Sequence, residues 1–201
     1  LARAQAAGLL VGAYHFYDYR EPGRAQADHF VDTLDAAGAL ERSLPPIVDV
    51  ECFEPFGPAD QSLVRTQLRA FTDRVFQRTG REPVVYTSGL MWRNVTGGAD
   101  DFGDLPLWVA CWSCETPGLP AGWDDWLFWQ TGSSRLSDAT DRLGSDRFAG
   151  EAGDLRALAI DRDPLRTRAV TDRRVRIRLG AVPGAEARWS LDGSAWSGWR
   201  A

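Results

Sequence analysis

Lysine is absent: every basic side chain among the 201 residues is arginine. Arginine and lysine exchange freely on exposed surfaces, so this reads as composition bias rather than chemistry. Cysteine is scarce, and three cysteines cannot build a disulfide framework. Cys111 and Cys114 have C-x-x-C spacing. Unpaired thiols, a local disulfide and a redox or metal pair all remain open for them. Structural zinc takes four ligands, and no second C-x-x-C is present; neither a metal nor a cofactor is expected. No apolar run reaches the ~18–20 residues of a membrane-spanning helix. Positive charge is not in excess. A net charge of -5 argues against nucleic acid as a partner, because phosphate binding calls for a basic surface. No glycine-rich phosphate loop follows any apolar run, which excludes a nucleotide-binding sheet. The two histidines, His15 and His29, pair with no serine or cysteine in a triad pattern.

What is present suits a folded, soluble chain: 44% hydrophobic residues bury a core and 25% charged residues keep a wet surface. Leu1 to Gly8 looks like the last turns of a helix capped by Gly8, so residues upstream of Leu1 are expected. Leu9–Tyr17 is a nearly continuous apolar run of strand length. A helix is predicted from Pro22 to about Leu40, with Phe30, Leu34 and Ala37 at helical spacing. Leu44–Glu51 is the next strand, apolar until it ends in acids. Pro58–Thr79 is an amphipathic helix with Val64, Leu68, Phe71 and Val75 on one face and Gly80 as its stop. Strands at Pro83–Thr87, Leu105–Trp112 and Trp126–Gln130 follow, with a short helix around Met91–Asn94 and a helical turn at Asp154–Leu158. Alternating strands and helices imply an α/β fold with a parallel sheet. Repeated crossovers without a phosphate loop favour an irregular (β/α) TIM-like barrel, incomplete at its N-terminus. Its domain would cover 1–159. Residues 160–172 are charged and contain Pro164, as a linker would. From 173 to 201 a short all-β segment is expected: Arg174–Leu179 alternates with period two, and Ala187–Leu191 precedes an Asp192-Gly193 turn. The arginines from Arg162 to Arg178 are read as a solvated strand face plus linker, ahead of a binding patch.

The chemistry-bearing feature is Asp49-Val50-Glu51 at the carboxyl end of a strand. Side chains at i and i+2 share a face, ~6.6 Å apart. In a parallel barrel that end is where active sites gather. Two close carboxylates repel, so one is pushed to hold its proton near neutral pH. One protonated and one ionised carboxyl is what glycoside hydrolysis needs: the acid protonates the leaving oxygen and the anion stabilises positive charge at the sugar carbon. A bare strand end meeting solvent would have the same sequence. The nine tryptophans add weight, because Trp108, Trp112, Trp123, Trp126 and Trp129 cluster and sugars stack on such rings. Buried packing is the commoner use of any one of them. His15 alternates with Tyr14 and Phe16, so it points to the opposite face of its strand and reads as structural.

The order Gly12–Phe16, Ala25–Phe30, Pro46–Glu51, Val85–Thr87 with Trp92, Leu107–Ala110 and Phe128–Gln130 resembles the glycoside hydrolase family 25 lysozymes, over roughly residues 1 to 158. The resemblance implies an irregular β/α barrel that cleaves the β-1,4 bond after N-acetylmuramic acid in peptidoglycan. It implies Glu51 as general acid and Asp49 as its helper, with Phe16, Tyr86 and Trp129 lining the substrate site. The substrate's own acetamido group is the candidate nucleophile. Family members begin with a strand carrying an active-site aspartate, which would lie upstream of Leu1. They also carry an acid in a V-D-x-N/D segment. Here that segment falls on Leu143–Phe148, with Gly144 at the first acid position and Asp146 at the second polar one, where it would join the substrate site or cap a loop.

The leading reading is therefore a peptidoglycan hydrolase, a secreted or wall-associated monomer. The 201 residues expressed alone are expected to fold poorly or be inactive, because a barrel lacking its first strands exposes edges. A peptidoglycan-binding module without activity is the alternative, motivated by Gly144 and the β segment. A hydrolase of another β-linked polysaccharide, such as chitin, is a third reading.

Overall fold

The computed structural model describes residues 2–40, 43–52, 60–135, 142–160, 190–191 and 195–196. The chain divides into two compact units, Leu1–Asp161 and Arg162–Ala201. In the first, the elements are α1 (Ala2–Ala6), β1 (Tyr14–Phe16), α2 (Gly23–Ala36), β2 (Ile47–Asp49), α3 (Gln61–Thr79), β3 (Val84–Thr87), α4 (Gly89–Thr96), β4 (Leu107–Ala110), β5 (Phe128–Arg135), β6 (Arg142–Phe148) and α5 (Ala152–Ile160). In the second, β7 (Ser190–Leu191) pairs antiparallel with β8 (Ala195–Trp196). The strand expected at Arg174–Leu179 lies outside the described residues, as does the linker expected at 160–172 apart from Ile160, which ends α5.

The six strands of the first unit form one sheet in chain order. β1 to β5 run parallel, and β6 returns antiparallel beside β5. Sequential parallel order with intervening helices is the arrangement of a β/α barrel, in agreement with the sequence reading. The return strand β6 is an addition to that reading. Its residues are polar on both faces and lack the apolar alternation that marks a strand.

The local signals explain the helices. Asp60 accepts a hydrogen bond from the Leu63 N–H at 2.9 Å and caps α3, and Gly80 ends it with φ 68°. Ser88 caps α4 in the same way through the Met91 N–H. α2 and α3 lie against one face of the sheet. Phe30, Val31, Leu34, Val64, Leu68, Phe71 and Val75 pack there with Val48, Val50, Val85, Leu107 and Val109. Each large side chain fully buried in this way contributes roughly 1.5–3 kcal/mol. Gly23 allows the close approach of the two helices, because a Cβ there would stand 1.8 Å from the Gln67 carbonyl oxygen. Asp28 of α2 binds Arg74 (2.7 Å) and Arg78 (3.2 Å) of α3, and these guanidinium groups hold its carboxyl below the usual range.

His15 belongs to this packed layer. Its ring stacks on Phe71 with 5.3 Å between centroids, and its Nε2 lies 2.9 Å from the Gln26 Oε1. It is a structural histidine, as its alternation with Tyr14 and Phe16 suggested.

Candidate active site

Strand parity decides what the other sheet face carries. Register places Phe16, Asp49, Tyr86, Trp108, Phe128 and Phe148 in one row across β1 to β6. All of them point away from the helix-covered side. Gln130 and Asp146 stand opposite one another in the next row on the same face. This face ends at the carboxyl ends of the parallel strands, where the elements of a β/α sheet converge on a site.

The acids are fixed by the residue between them. The Val50 N–H donates to the Tyr86 carbonyl oxygen at 2.9 Å, and the Val50 carbonyl accepts from the Thr87 hydroxyl at 2.8 Å. The Val50 side chain is fully buried among the core residues. Asp49 and Glu51, one residue to either side, therefore face the row of Tyr86. One Asp49 oxygen, Oδ1, is buried and has no hydrogen-bond partner. Burial, and then the Glu51 charge, push the Asp49 carboxyl up to about 7. Burial also raises the Glu51 carboxyl. The sequence reading attributed the shared proton to mutual repulsion; in the structure, loss of solvent comes first and repulsion second.

Tyr86 is the centre of the cluster. Burial raises its hydroxyl pKa first, followed by the charges of Glu51, Asp49 and Asp146 in that order. All three acids thus lie within electrostatic reach of one hydroxyl. That hydroxyl donates to the Gln130 Oε1 at 3.0 Å. Trp108 meets the Tyr86 ring edge-on at 5.0 Å and donates its indole N–H to the Asp146 Oδ1 at 2.9 Å. Partial burial raises the Asp146 carboxyl while this hydrogen bond opposes the shift. The remaining side of Asp146 is open to solvent. A Cβ built on Gly144 would stand 3.3 Å from the Asp146 Oδ2 and 3.2 Å from the Gln130 Nε2. Position 144 therefore shares the Asp146 face, and the acid that reaches the cluster from β6 is Asp146.

Of the residues expected from sequence, the structure brings together Asp49, Glu51, Tyr86 and Asp146. Phe16 lies beside Asp49 in register and is 47% exposed, in place to border the cluster. Trp129 is not brought there. It stands on the opposite parity, 4% exposed, in edge contact with Trp126 and with Arg147 over its ring. Its indole N–H donates to the Cys111 carbonyl at 2.9 Å, so it braces the loop after β4 from the core. Sequence reasoning gave Gln130 no role, and it named Trp108 and Trp112 only as members of the tryptophan cluster, without placing them at the acids. Period two alone could have found the first two: Gln130 must face opposite Trp129, and Trp108 must share the Tyr86 face once the strands are in register. Among the described residues, no cluster of three or more His, Cys, Asp or Glu side chains is arranged to hold a metal ion.

A parallel β/α sheet with three acids, a tyrosine and indoles gathered at its strand ends is the architecture of the β/α glycoside hydrolases as a class. The model of the glycosyl hydrolases family 25 matches residues 1–138. The chain is 34% identical over 163 residues to Lysozyme M1 of Streptomyces globisporus, covering 78% of this chain and 55% of that protein. It is 34% identical over 159 residues to an N,O-diacetylmuramidase of a Chalaropsis species, covering 75% of this chain and 72% of the relative. Among solved structures, the bacterial lysozyme of Streptomyces coelicolor superposes with a TM-score of 0.68 at 33% identity, covering 79% of this chain and 76% of the other. This chain belongs to glycosyl hydrolase family 25. It spans little more than half the length of the first curated relatives it matches, 55% and 58%.

Proposed function

We propose that this chain acts as a muramidase, hydrolysing the β-1,4 bond between N-acetylmuramic acid and N-acetylglucosamine in peptidoglycan. The observation that carries the reading is the Asp49–Glu51 pair, whose carboxyls are both raised by burial at a strand end facing Tyr86 and Asp146. A pair raised in this way holds a proton near neutral pH, which is the state an acid catalyst of glycoside cleavage must have. Glu51, at the outer end of the strand, is the group that protonates the leaving oxygen. Asp49, whose carboxyl burial pushes up to about 7, assists Glu51 from the same face. Asp146, within electrostatic reach of the same Tyr86 hydroxyl, adds a negative charge that stabilises the oxocarbenium-like centre or orients the acetamido group that attacks it. Phe16 and Trp108 border the sugar site.

Curated relatives described as a lysozyme and as diacetylmuramidases support peptidoglycan as the polymer. We place the protein outside the cell or at the wall, acting as a monomer on glycan strands. Among the described residues, no helix is long and apolar enough to cross a membrane. The binding-only alternative rested on Gly144 and on the β segment; Asp146, on the face that position 144 shares, supports the catalytic reading instead. Residues 160–172 and 173–201 are proposed to serve as a linker and as the start of an appended β-module.

The test is Glu51→Gln in the full chain, assayed by release of reducing ends from purified cell walls. Activity is expected to fall at least about 100-fold, since general-acid catalysis contributes that much or more, while binding to insoluble peptidoglycan persists. Near-normal release by the variant would remove Glu51 from the role. Binding by the wild type without any release would favour the binding-only reading.

A further inference from the structure

Beside the acid cluster, and not used by the proposed chemistry, is a short loop with three unusual features. Cys111 and Cys114, at the carboxyl end of β4, are joined by a disulfide. Ser113 between them has φ 60°, a left-handed conformation that is costly for a residue with a side chain. Trp112 is 59% exposed, an unusual surface for the largest apolar side chain.

The loop is held from several sides. The Cys111 and Ser113 N–H groups donate to the Gln130 and Thr131 carbonyls, at 3.1 and 3.3 Å. The buried Trp129 indole donates to the Cys111 carbonyl from beneath at 2.9 Å. The Trp112 N–H is itself engaged, donating to the Gln130 Oε1 at 2.8 Å. That same oxygen accepts the Tyr86 hydroxyl. The Trp112 ring is therefore oriented by its edge, its polar atom is satisfied, and much of its surface stays in water.

We propose that the disulfide-closed Cys111–Cys114 loop is a platform that presents the Trp112 ring to a pyranose unit of the glycan, next to the unit whose bond is cleaved. This rests on the muramidase reading and adds a subsite to it. A pyranose offers one patch of C–H groups and a rim of hydroxyls. An indole face at the border of a polar, acidic cluster matches that pattern. The shared acceptor on Gln130 sets the platform in register with Tyr86, so a ring stacked on Trp112 is placed relative to the acids. The disulfide and the bonds to β5 hold the ring in place before substrate arrives, which lowers the ordering cost of binding.

The experiment uses the full chain and soluble glycan strands released from peptidoglycan, with kcat and KM measured by reducing-end release. Three variants are compared with the wild type: Trp112→Ala, Trp112→Phe, and Cys111→Ser with Cys114→Ser. Loss of the ring is expected to raise KM about five- to ten-fold, the size of one aromatic contact, with kcat within about two-fold. Phenylalanine, which keeps a ring and loses the N–H, is expected to restore most of the affinity. Opening the disulfide is expected to raise KM about three-fold or more while circular dichroism is unchanged. A Trp112→Ala enzyme with wild-type KM overturns the proposal and leaves the muramidase reading standing. A Trp112→Phe enzyme as impaired as the alanine variant overturns ring stacking, because the N–H to Gln130 would then be the contribution. Unchanged KM in the double serine variant overturns the disulfide's part. If the wild type releases no reducing ends, the muramidase reading fails and the subsite fails with it.

Discussion

Replacing Asp49 by asparagine should make the protein more stable at pH 8 while making it a worse enzyme. The Asp49 carboxyl is raised from an ordinary 3.8 to about 7, first by burial and then by Glu51. A raised carboxyl binds its proton more tightly in the folded than in the unfolded chain. Below about pH 4 both states are protonated and the group has no effect on stability. Between pH 4 and 7 the folded state increasingly holds a proton the unfolded state has released, so stability falls as pH rises. Above about pH 7 both are ionised and the full penalty is in place. At 1.36 kcal/mol per factor of ten, the ceiling is about 4 kcal/mol. Asp49 keeps partial contact with solvent, which screens the effect, and about half of the ceiling, ~2 kcal/mol, is a fair expectation. Asparagine removes the charge but brings an amide to a position where Oδ1 has no partner, costing about 0.5–1 kcal/mol. The net gain is then about 1–1.5 kcal/mol at pH 8, turning to a small loss at pH 4. For a unit of this size that corresponds to roughly 3–5 °C in Tm at pH 8. Thermal and urea melts followed by circular dichroism at pH 4, 6 and 8 measure it. A difference between variant and wild type that does not change from pH 4 to pH 8 would refute the reasoning, because it would show that Asp49 titrates alike in folded and unfolded chains.

Three further outcomes follow from the same geometry. Because burial pushes the Asp49 carboxyl up to about 7, kcat/KM on cell walls should decline through an alkaline limb beginning there, and Asp49→Asn should displace that limb; a flat profile to pH 9 would contradict a role for the Asp49 proton. Asp146→Asn keeps an acceptor for the Trp108 N–H but removes a charge from the site, so kcat should fall about 10- to 100-fold with Tm within about 2 °C, read from paired kinetics and melts. Gly23→Ala would place a Cβ 1.8 Å from the Gln67 backbone oxygen; forcing α2 off α3 should cost about 3 kcal/mol, and a urea midpoint equal to wild type would count against the close approach.

The fold was legible where one periodicity dominated. Ile47–Asp49, Val84–Thr87 and Leu107–Ala110 are apolar runs because the parallel strands pack mainly against helices and one another. α3 was legible because its apolar face and the stop at Gly80 agree. The predicted first strand, Leu9–Tyr17, is longer than the observed Tyr14–Phe16. Its apolar content is spent partly on exposed rings: Tyr14 is 66% exposed and Phe16 47%. β6 was not legible, since its pairing with β5 is made by backbone groups that any sequence supplies, and its side chains carry no alternating pattern.

The tryptophans show what separates a residue that serves the core from one that serves the site. Composition treats Trp92, Trp108, Trp112, Trp123 and Trp129 alike. Their indole N–H groups do not. Trp92, Trp123 and Trp129, all buried, donate to the backbone carbonyls of Ala99, Leu105 and Cys111. A buried indole must satisfy its one donor, and a main-chain carbonyl at a loop is the acceptor the core most readily offers. Trp108 and Trp112, both on the wetter side, donate instead to the side chains of Asp146 and Gln130. Those acceptors are the groups that surround Tyr86 and the acid pair. The distinction follows from parity on a pleated strand: Trp129 and Gln130 are neighbours in sequence and must face opposite ways. A tryptophan on the acid-bearing face of this sheet is therefore one whose strand register matches Tyr86 or whose loop overhangs the strand ends; Trp108 and Trp112 meet that criterion and Trp129 does not, and the proposed sugar contacts are assigned to those two for that reason.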